Sequence, residues 1–146
     1  MSDKRVAVAA WESLFRAQVA VMRHLQAEFP SGELSLNEYD VLFNLSQQEG
    51  RRLRIRDLNK RLLLTQPSVS RLIDRLASRG LVIKSSDPTD ARGIVVALTD
   101  PGFDLFRRIA LHHMHSIAER VGGKLTDDEL QQLASLTDKL RTSGPE

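Results

Sequence analysis

The sequence has no cysteine in its 146 residues, so it can form no disulfide bond, no thiolate metal site and no cysteine-based redox switch. It also lacks an apolar run of the roughly 18 residues that a membrane-spanning helix needs. The N-terminal residues show neither the apolar core nor the cleavage pattern of a signal peptide. We therefore expect a single cytoplasmic domain, residues 1–146, that is large enough to bury a hydrophobic core.

The residue patterns of catalysis are missing as well. There is no glycine-rich phosphate loop, no pair of carboxylates on one helical face and no recognisable Ser, His, Asp arrangement. His112, His113 and His115 are close in sequence, but no two of them have the i, i+4 spacing of paired metal ligands, and HExxH is absent. We expect no enzyme activity, no catalytic residue, no metal and no cofactor.

Positive charge is concentrated in the middle of the chain. The whole sequence has a net charge of only +2, but residues 51–92 hold eleven Lys and Arg against four Asp, a net charge of +7, and the remainder carries −5. A focused positive region of this kind is the electrostatic signature of a polyanionic partner. The distribution favours a nucleic acid.

A helix is predicted inside this basic region, over residues 66–79. Thr65 is expected to cap it, Pro67 fits its first turn, and Gly80 supplies the left-handed residue that ends it. Its buried side is predicted from apolar residues at helical spacing, namely Val69, Leu72, Ile73 and Leu76.

The opposite face of this helix carries Ser68, Arg71 and Arg75. A lone surface Arg is more often a solvated charge, but two at this spacing, followed by a hairpin, favour a DNA-reading surface. Arg suits that role because its planar guanidinium can form two parallel hydrogen bonds with guanine or with phosphate.

A β-hairpin is predicted directly after the helix. The apolar runs 81–83 and 94–98 are separated by DPTDARG, whose Pro, Asp and Gly residues favour a long loop. Asp90 and Arg92 lie in this loop. A salt bridge between them would stiffen it, and an exposed Arg92 could enter a narrow minor groove; the two interpretations are compatible.

Further elements are predicted on both sides of this region. The expected helices are 6–29, one opened by a capping box of Ser35 and Glu38, 55–64, 100–121, and one opened by a capping box of Thr126 and Glu129. Residues 52–54 are expected to add a third strand to the hairpin. The helices 55–64 and 66–79 together predict a helix-turn-helix.

The terminal helices carry more apolar surface than one helical face can bury. Helix 100–121 is apolar on more than one side, and Leu130, Leu133 and Leu140 form a stripe on the last helix. One explanation is the core of a helical bundle. The other, which we favour, is a subunit interface made from both chain ends, because a two-fold dimer doubles the contacts with a palindromic site.

The order of these elements, with SVSRLIDRLASRGLV followed by DPTDARGIVVALTDPG, resembles the MarR (multiple antibiotic resistance regulator) family of bacterial winged helix-turn-helix repressors. The family's wing pattern is met by Asp90, Arg92, Leu98, Thr99 and Gly102. The resemblance extends over essentially the whole chain. It implies a mainly α (α+β) fold with about six helices and a small β-hairpin wing. It also implies a DNA-binding lobe at 35–99 and a helical dimerisation region at 6–29 and 100–142.

The resemblance further implies a DNA-binding transcriptional regulator, a repressor that binds a palindromic operator in double-stranded DNA as a homodimer. Residues 66–79 would be the recognition helix, and Arg92 would enter the minor groove. At the start of helix 55–64 the chain departs from the family's small hydroxyl cap, and its Arg54 and Arg56 predict added phosphate contacts. The DNA-binding residues that we expect are Arg54, Arg56, Gln66, Pro67, Ser68, Ser70, Arg71, Arg75, Lys84, Asp90 and Arg92.

Such regulators are often released from DNA by a small aromatic or anionic effector. The candidate pocket residues are Trp11, Phe15, Tyr39, Phe43 and His112, although an aromatic stripe is more often plain core. A different function remains as the alternative, since winged helices can serve as protein-interaction modules without sequence-specific DNA binding. The polarised charge and the outward arginines argue against that alternative.

Overall fold

Helices make up most of the chain, together with one small antiparallel sheet. The computed structural model describes residues 3–62 and 68–142. Within these ranges the helices are α1 (Lys4–Glu28), α2 (Leu36–Ser46), α3 (Ile55–Arg61), α4 (Val69–Ser78), α5 (Asp100–Gly122) and α6 (Asp127–Thr142). The strands are β1 (Arg52–Arg54), β2 (Val82–Asp87) and β3 (Asp90–Leu98), and a 3-10 turn, Glu49–Arg51, precedes β1. The predicted mainly α, winged helix-turn-helix fold is confirmed.

The chain divides into two compact units. One unit is Phe29–His112, which holds α2, α3, α4, the sheet and the first half of α5. The other combines the residues up to Glu28 with those from His113 onward, and so contains α1, the second half of α5 and α6. The predicted DNA-binding residues all belong to the first unit.

Both predicted capping boxes are present. The Ser35 hydroxyl accepts a hydrogen bond from the Glu38 N–H at 3.1 Å, and the Glu38 carboxylate accepts one from the Ser35 N–H at 2.8 Å. Thr126 and Glu129 exchange the same two bonds, at 3.2 and 2.9 Å. Each box satisfies two backbone N–H groups that a helix start leaves without intrahelical partners, so α2 and α6 begin where the sequence predicts.

The core of the Phe29–His112 unit fixes how α4 is rotated. Leu72, Ile73 and Leu76 are each no more than 2% exposed, and Val69 packs against the same cluster, as the apolar spacing predicts. Each fully buried side chain of this size contributes about 1.5–3 kcal/mol of transfer free energy. Because the apolar stripe is held so firmly, the opposite, polar face of α4 remains exposed to solvent.

The boundaries of the helix-turn-helix differ from the prediction. α3 ends at Arg61 rather than at residue 64, and α4 begins at Val69 rather than at residue 66. The N-cap of α4 is Ser68, whose hydroxyl accepts a hydrogen bond from the Arg71 N–H at 3.3 Å, so the predicted cap at Thr65 is wrong. Ser68 is the N-cap because it directly precedes Val69, the first residue of the apolar stripe. Thr65, Gln66 and Pro67 lie outside the described residues.

The sheet has the order β1, β3, β2, and β1 is the predicted third strand. The long loop predicted inside the hairpin is wrong. Pairing continues to Asp87 opposite Asp90, so that only residues 88–89 form the turn. The turn can be this tight because the Asp87 carboxylate accepts hydrogen bonds from the N–H and the hydroxyl of Thr89, at 2.9 and 2.8 Å.

The start of α5 is fixed by Thr99 and Gly102, two residues of the wing pattern. The Thr99 hydroxyl accepts a hydrogen bond from the Gly102 N–H at 3.0 Å and donates one to the Gly80 carbonyl at 2.7 Å. A β-carbon at Gly102 would lie 2.1 Å from the Leu81 carbonyl oxygen, a separation that only glycine avoids. These contacts join α5 to the segment that follows α4.

The unit that contains α1 and α6 exposes large apolar side chains. Trp11 and Phe15 of α1 are 60% and 52% exposed, and Leu136 and Leu140 of α6 are 60% and 67% exposed. Scattered apolar residues are ordinary on a protein surface, but aromatic and leucine side chains on two terminal helices are typical of a surface that another molecule covers. In the described part of the chain, no helix combines the length and the hydropathy of a membrane span.

Candidate nucleic-acid interface

The exposed face of α4 brings most of the predicted reading residues together. Ser70, Arg71 and Arg75 are exposed, whereas Ser68 is half-buried and its hydroxyl is engaged in capping the helix. Arg71 lies in the first turn and Arg75 one turn later. The face therefore presents the guanidinium groups of Arg71 and Arg75, one turn apart, beside the Ser70 hydroxyl and the Asp74 carboxylate.

A groove of about 330 Å³ adjoins this face. It is formed by the start of α3, by α4 and by the hairpin, and its lining residues are Arg54, Ile55, Arg56, Ser70, Asp87, Asp90, Arg92, Gly93 and Ile94. Five of the predicted DNA-binding residues therefore meet at one concave surface, although they come from four separate elements of the fold, β1, α3, α4 and β3.

The wing presents Arg92 to solvent from the beginning of β3. The Asp90 carboxylate accepts a hydrogen bond from the backbone N–H of Arg92 at 3.0 Å. Asp90 thus holds the backbone of Arg92, whereas one of the two interpretations of the sequence is a salt bridge between their side chains. Because the carboxylate holds the backbone, the Arg92 guanidinium is left to reach outward.

Arg54 is turned towards the wing. Its Nε lies 2.6 Å from the Asp87 carboxylate, and its terminal nitrogen donates a hydrogen bond to the Thr89 hydroxyl at 2.8 Å. The Asp87 side chain is only 3% exposed, against 37% for Arg54. A buried carboxylate needs such partners, because removing it from water without them costs several kcal/mol.

Asp87 is the residue around which the wing turn is organised. Hydrogen bonds from the Thr89 N–H and hydroxyl, together with the nearby charge of Arg54, hold the pKa of Asp87 below its usual value, although burial opposes the shift. Gly93 packs so closely that a β-carbon there would lie 3.0 Å from the Asp87 β-carbon. The carboxylate is thus ionised and locked at neutral pH.

Lys84, another predicted DNA-binding residue, forms an ion pair with Asp74. Lys84 belongs to β2 and Asp74 to α4, so this pair joins the hairpin to α4. Lys84 is consequently engaged within the protein rather than standing as a lone surface cation.

Other cations of the basic region also have partners inside the unit. The Arg51 guanidinium lies 3.5 Å from the centroid of the Phe103 ring. Arg79 donates a hydrogen bond to the Glu33 carbonyl at 2.6 Å and lies 3.5 Å from the Glu38 carboxylate. The charge that can face a polyanion is therefore smaller than the net charge of +7 over residues 51–92 suggests.

The residues that sequence reasoning missed are Asp87, Thr89, Gly93 and Asp74. Three of them are in or beside the DPTDARG segment, where the Asp, Thr and Gly of a tight hairpin turn were interpreted as a long loop. The signal that could have found them is the close spacing of two aspartates around a Pro-Thr pair, which is typical of a side-chain-stabilised turn. Asp74 carries no comparable signal, since its partner is ten residues away in a different element.

The candidate effector residues belong to different units of the chain. Trp11 and Phe15 pack with ring centroids 5.6 Å apart and line a groove of about 490 Å³ together with Leu14, Gln18, Thr137, Leu140 and Arg141.

In the Phe29–His112 unit, Tyr39 stacks on Phe106 at 5.3 Å and also contacts Phe29 and Phe43. Burial raises the pKa of Tyr39. Tyr39 and Phe43 are thus packed into or against the hydrophobic core of that unit. The exposed His112 also belongs to this unit.

Comparison with known sequences points to the same part of the chain. A sequence model described as the MarR family matches residues 33–93. The HTH-type transcriptional regulator TtmR of Methylorubrum extorquens is 30% identical over 138 residues, which cover 90% of this chain and 64% of that protein. YkoM of Bacillus subtilis, an uncharacterised HTH-type transcriptional regulator, is 34% identical over 86 residues, or 59% of this chain and 55% of that protein. The chain spans 55–64% of the length of these two curated relatives.

Solved structures share the fold over nearly the whole chain. Sco3205, a MarR family transcriptional regulator from Streptomyces coelicolor crystallised in complex with DNA, is similar with a TM-score of 0.82 and 25% identity, covering 100% of this chain and 93% of that one. BpsR of Bordetella bronchiseptica, whose DNA binding is regulated by 6-hydroxynicotinic acid, is similar with a TM-score of 0.76 and 26% identity, covering 90% and 91%.

Proposed function

Since this chain belongs to the MarR family, we propose that it is a DNA-binding transcriptional regulator, in which Phe29–His112 contains the DNA-reading part. The observation that carries the proposal is the exposed face of α4, which presents Arg71 and Arg75, beside a groove that is lined by Ser70 of the same helix and by Arg92 of the wing. That surface lies largely within the segment that the family model matches. The likeness to a regulator crystallised with DNA supports the same function.

In the proposed complex, the N-terminal end of α4 enters the major groove and the wing contacts the adjacent minor groove. Arg71 is near the base edges and can form paired hydrogen bonds with guanine. Arg75, one turn later, meets a phosphate. Arg92 enters the minor groove, where a narrow A·T-rich segment has an enhanced negative potential that attracts arginine.

We further propose that the chain acts as a homodimer on a palindromic operator and represses transcription there. Val6 and Val8 of α1 and Leu133 and Leu136 of α6 are exposed outside the groove at Trp11, and they supply apolar surface for a subunit interface. Two copies present two α4 helices to half-sites about one helical turn apart, roughly 10 base pairs. Sedimentation of the full chain at micromolar concentration tests this part, because a stable monomer would remove the proposed role of the terminal helices.

A small aromatic or anionic effector would release the protein from DNA. The groove at Trp11 and Phe15 offers aromatic surface and the cation of Arg141, which suits an aromatic acid. The precedent is BpsR, whose DNA binding responds to 6-hydroxynicotinic acid.

Titration with duplex DNA at two salt concentrations tests the proposed function. We expect tight binding to one duplex selected from a random-sequence pool, and weaker, steeply salt-dependent binding to unrelated duplexes. Equal affinity for selected and unrelated duplexes would contradict the proposal and favour a protein-interaction module. Catalytic assays are not needed for this distinction.

A further inference from the structure

The sequence predicts a phosphate contact for Arg54, but its side chain contacts the wing. Its Nε and one terminal nitrogen engage Asp87 and Thr89, at 2.6 and 2.8 Å. Arg54 also occupies the N-cap position of α3, but its guanidinium has no hydrogen-bond acceptor and so cannot cap the helix. The side chain instead reaches 33 residues along the sequence to the hairpin turn.

The contacts of Asp87 carry this interaction to Arg92. The Asp87 β-carbon packs against Gly93, the residue that follows Arg92, and a β-carbon added at Gly93 would lie only 3.0 Å from it. Thr89 bonds the same carboxylate, and the next residue, Asp90, holds the Arg92 backbone N–H. A displacement of Asp87 would therefore shift the backbone on both sides of Arg92, the residue proposed to enter the minor groove.

The charge balance also argues against a simple phosphate contact. A guanidinium already paired with a buried carboxylate has little net charge to offer a phosphate, and releasing it would leave that carboxylate buried without its cation. Arg56, two residues further on, is exposed and lines the same groove, so a phosphate at this position has a cation available to it.

We propose that Arg54 is a positioning residue, which promotes specific DNA binding by holding the Asp87–Thr89 turn and thereby setting the place of Arg92. This inference rests on the proposed function. It assigns the residue an indirect role, in contrast to the direct phosphate contact that the sequence predicts.

A double-mutant cycle with the full-length chain separates the two roles. The measured quantity is affinity for a duplex that the wild-type protein selects from a random-sequence pool. If Arg54 acts through the wing, Arg54→Ala weakens binding about fivefold or more, as Arg92→Ala does. The double variant then binds no more weakly than Arg92→Ala alone, because the wing contact is already lost.

Arg56→Ala is the matched control. As a direct phosphate contact, Arg56 should give an effect that adds to that of Arg92→Ala, and the slope of log K against log salt should fall by about one unit. If Arg54→Ala behaves like this control, with an additive effect and a further loss of slope, the positioning role is wrong.

Asp87→Asn is a second variant, which tests the same inference even if Arg54→Ala does not fold. Removing a negative charge beside DNA should by itself strengthen binding to any duplex. The positioning role predicts the opposite for the selected duplex, a loss of about fivefold or more, with binding to unrelated duplexes unchanged or stronger. Stronger binding to the selected duplex would overturn the inference.

The outcomes also distinguish this inference from the proposed function. A wild-type chain that prefers no duplex would overturn both. A wild-type chain that binds its selected duplex specifically, with an Arg54→Ala effect that adds to that of Arg92→Ala, would overturn the positioning role alone.

Discussion

Lys84 and Asp74 form an ion pair that joins strand β2 of the wing to helix α4. Both side chains are substantially exposed, at 40% and 59%, so the pair contributes little to stability, about 0.2–1 kcal/mol. We expect its importance to lie in charge placement, because Asp74 on α4 neutralises Lys84, one of the residues proposed to contact DNA.

The first prediction concerns this pair. Asp74→Asn should raise affinity for all duplexes alike and steepen the slope of log K against log salt by about one unit, because Lys84 becomes available to a phosphate. Thermal stability should change little. Titrations with a selected and an unrelated duplex at several salt concentrations measure the effect, and an unchanged slope would show that Lys84 does not reach the DNA.

The second prediction concerns the tip of the wing. Arg92→Ala should weaken specific binding by about 1–3 kcal/mol per half-site and leave the free energy of unfolding nearly unchanged, because Arg92 is exposed. Fluorescence anisotropy with the selected duplex and a thermal melt check the two parts. Unchanged affinity at physiological salt would exclude the wing from DNA binding.

The third prediction separates base reading from phosphate contact on α4. Arg71→Ala should relax the preference at particular base pairs, because Arg71 lies in the first turn of the helix. Arg75→Ala should lower affinity evenly across sequences and reduce the salt slope by about one unit. Repeating the duplex selection with each variant provides the readout. A changed base preference for Arg75→Ala would mean that α4 enters the groove at a different angle.

The fourth prediction follows from the ionisation of Asp87. Its pKa is lowered in the folded chain by the Thr89 hydrogen bonds and by Arg54, so its ionised form stabilises the fold. That stabilisation is fully present above the unfolded-state pKa, about 3.9, and is lost as the pH falls through the lower folded value.

Urea unfolding of the wild type and of Asp87→Asn checks this sign. The variant should be less stable at pH 7, and the difference in free energy of unfolding should shrink below about pH 4. Glu28→Gln serves as a comparison, since the pKa of Glu28 is also lowered, in the other unit and by Arg120. A difference for Asp87→Asn that stays constant with pH would show that the carboxylate stabilises the turn through its shape alone.

Much of the fold could be predicted from local patterns. The apolar spacing of α4, both capping boxes and the Thr99–Gly102 pattern at the start of α5 each depend on residues within a few positions of one another. These features are decided by helix geometry and backbone hydrogen bonding, which short stretches of sequence specify well.

The interpretations that failed depend on partners distant in sequence or on competition between neighbours. Arg54 was assigned to phosphate because nothing near it in sequence indicates Asp87 as its partner. The sequence predicts a long loop in the hairpin, whereas the turn is short because the buried Asp87 carboxylate holds it. The burial of Asp87 follows from the packing of the whole sheet. At the start of α4 two hydroxyl residues, Thr65 and Ser68, could each have been the cap, and the apolar stripe favoured Ser68.

Footprinting of the DNA upstream of this protein's own coding region tests the central claim most directly. The account predicts a protected segment with two-fold symmetry, in which two similar half-sites lie roughly 10 base pairs apart. Arg92→Ala should lose protection first at the minor-groove positions that flank each half-site. Protection that is uniform along the DNA, or absent at concentrations where unrelated duplexes are bound equally well, would contradict sequence-specific regulation by this chain.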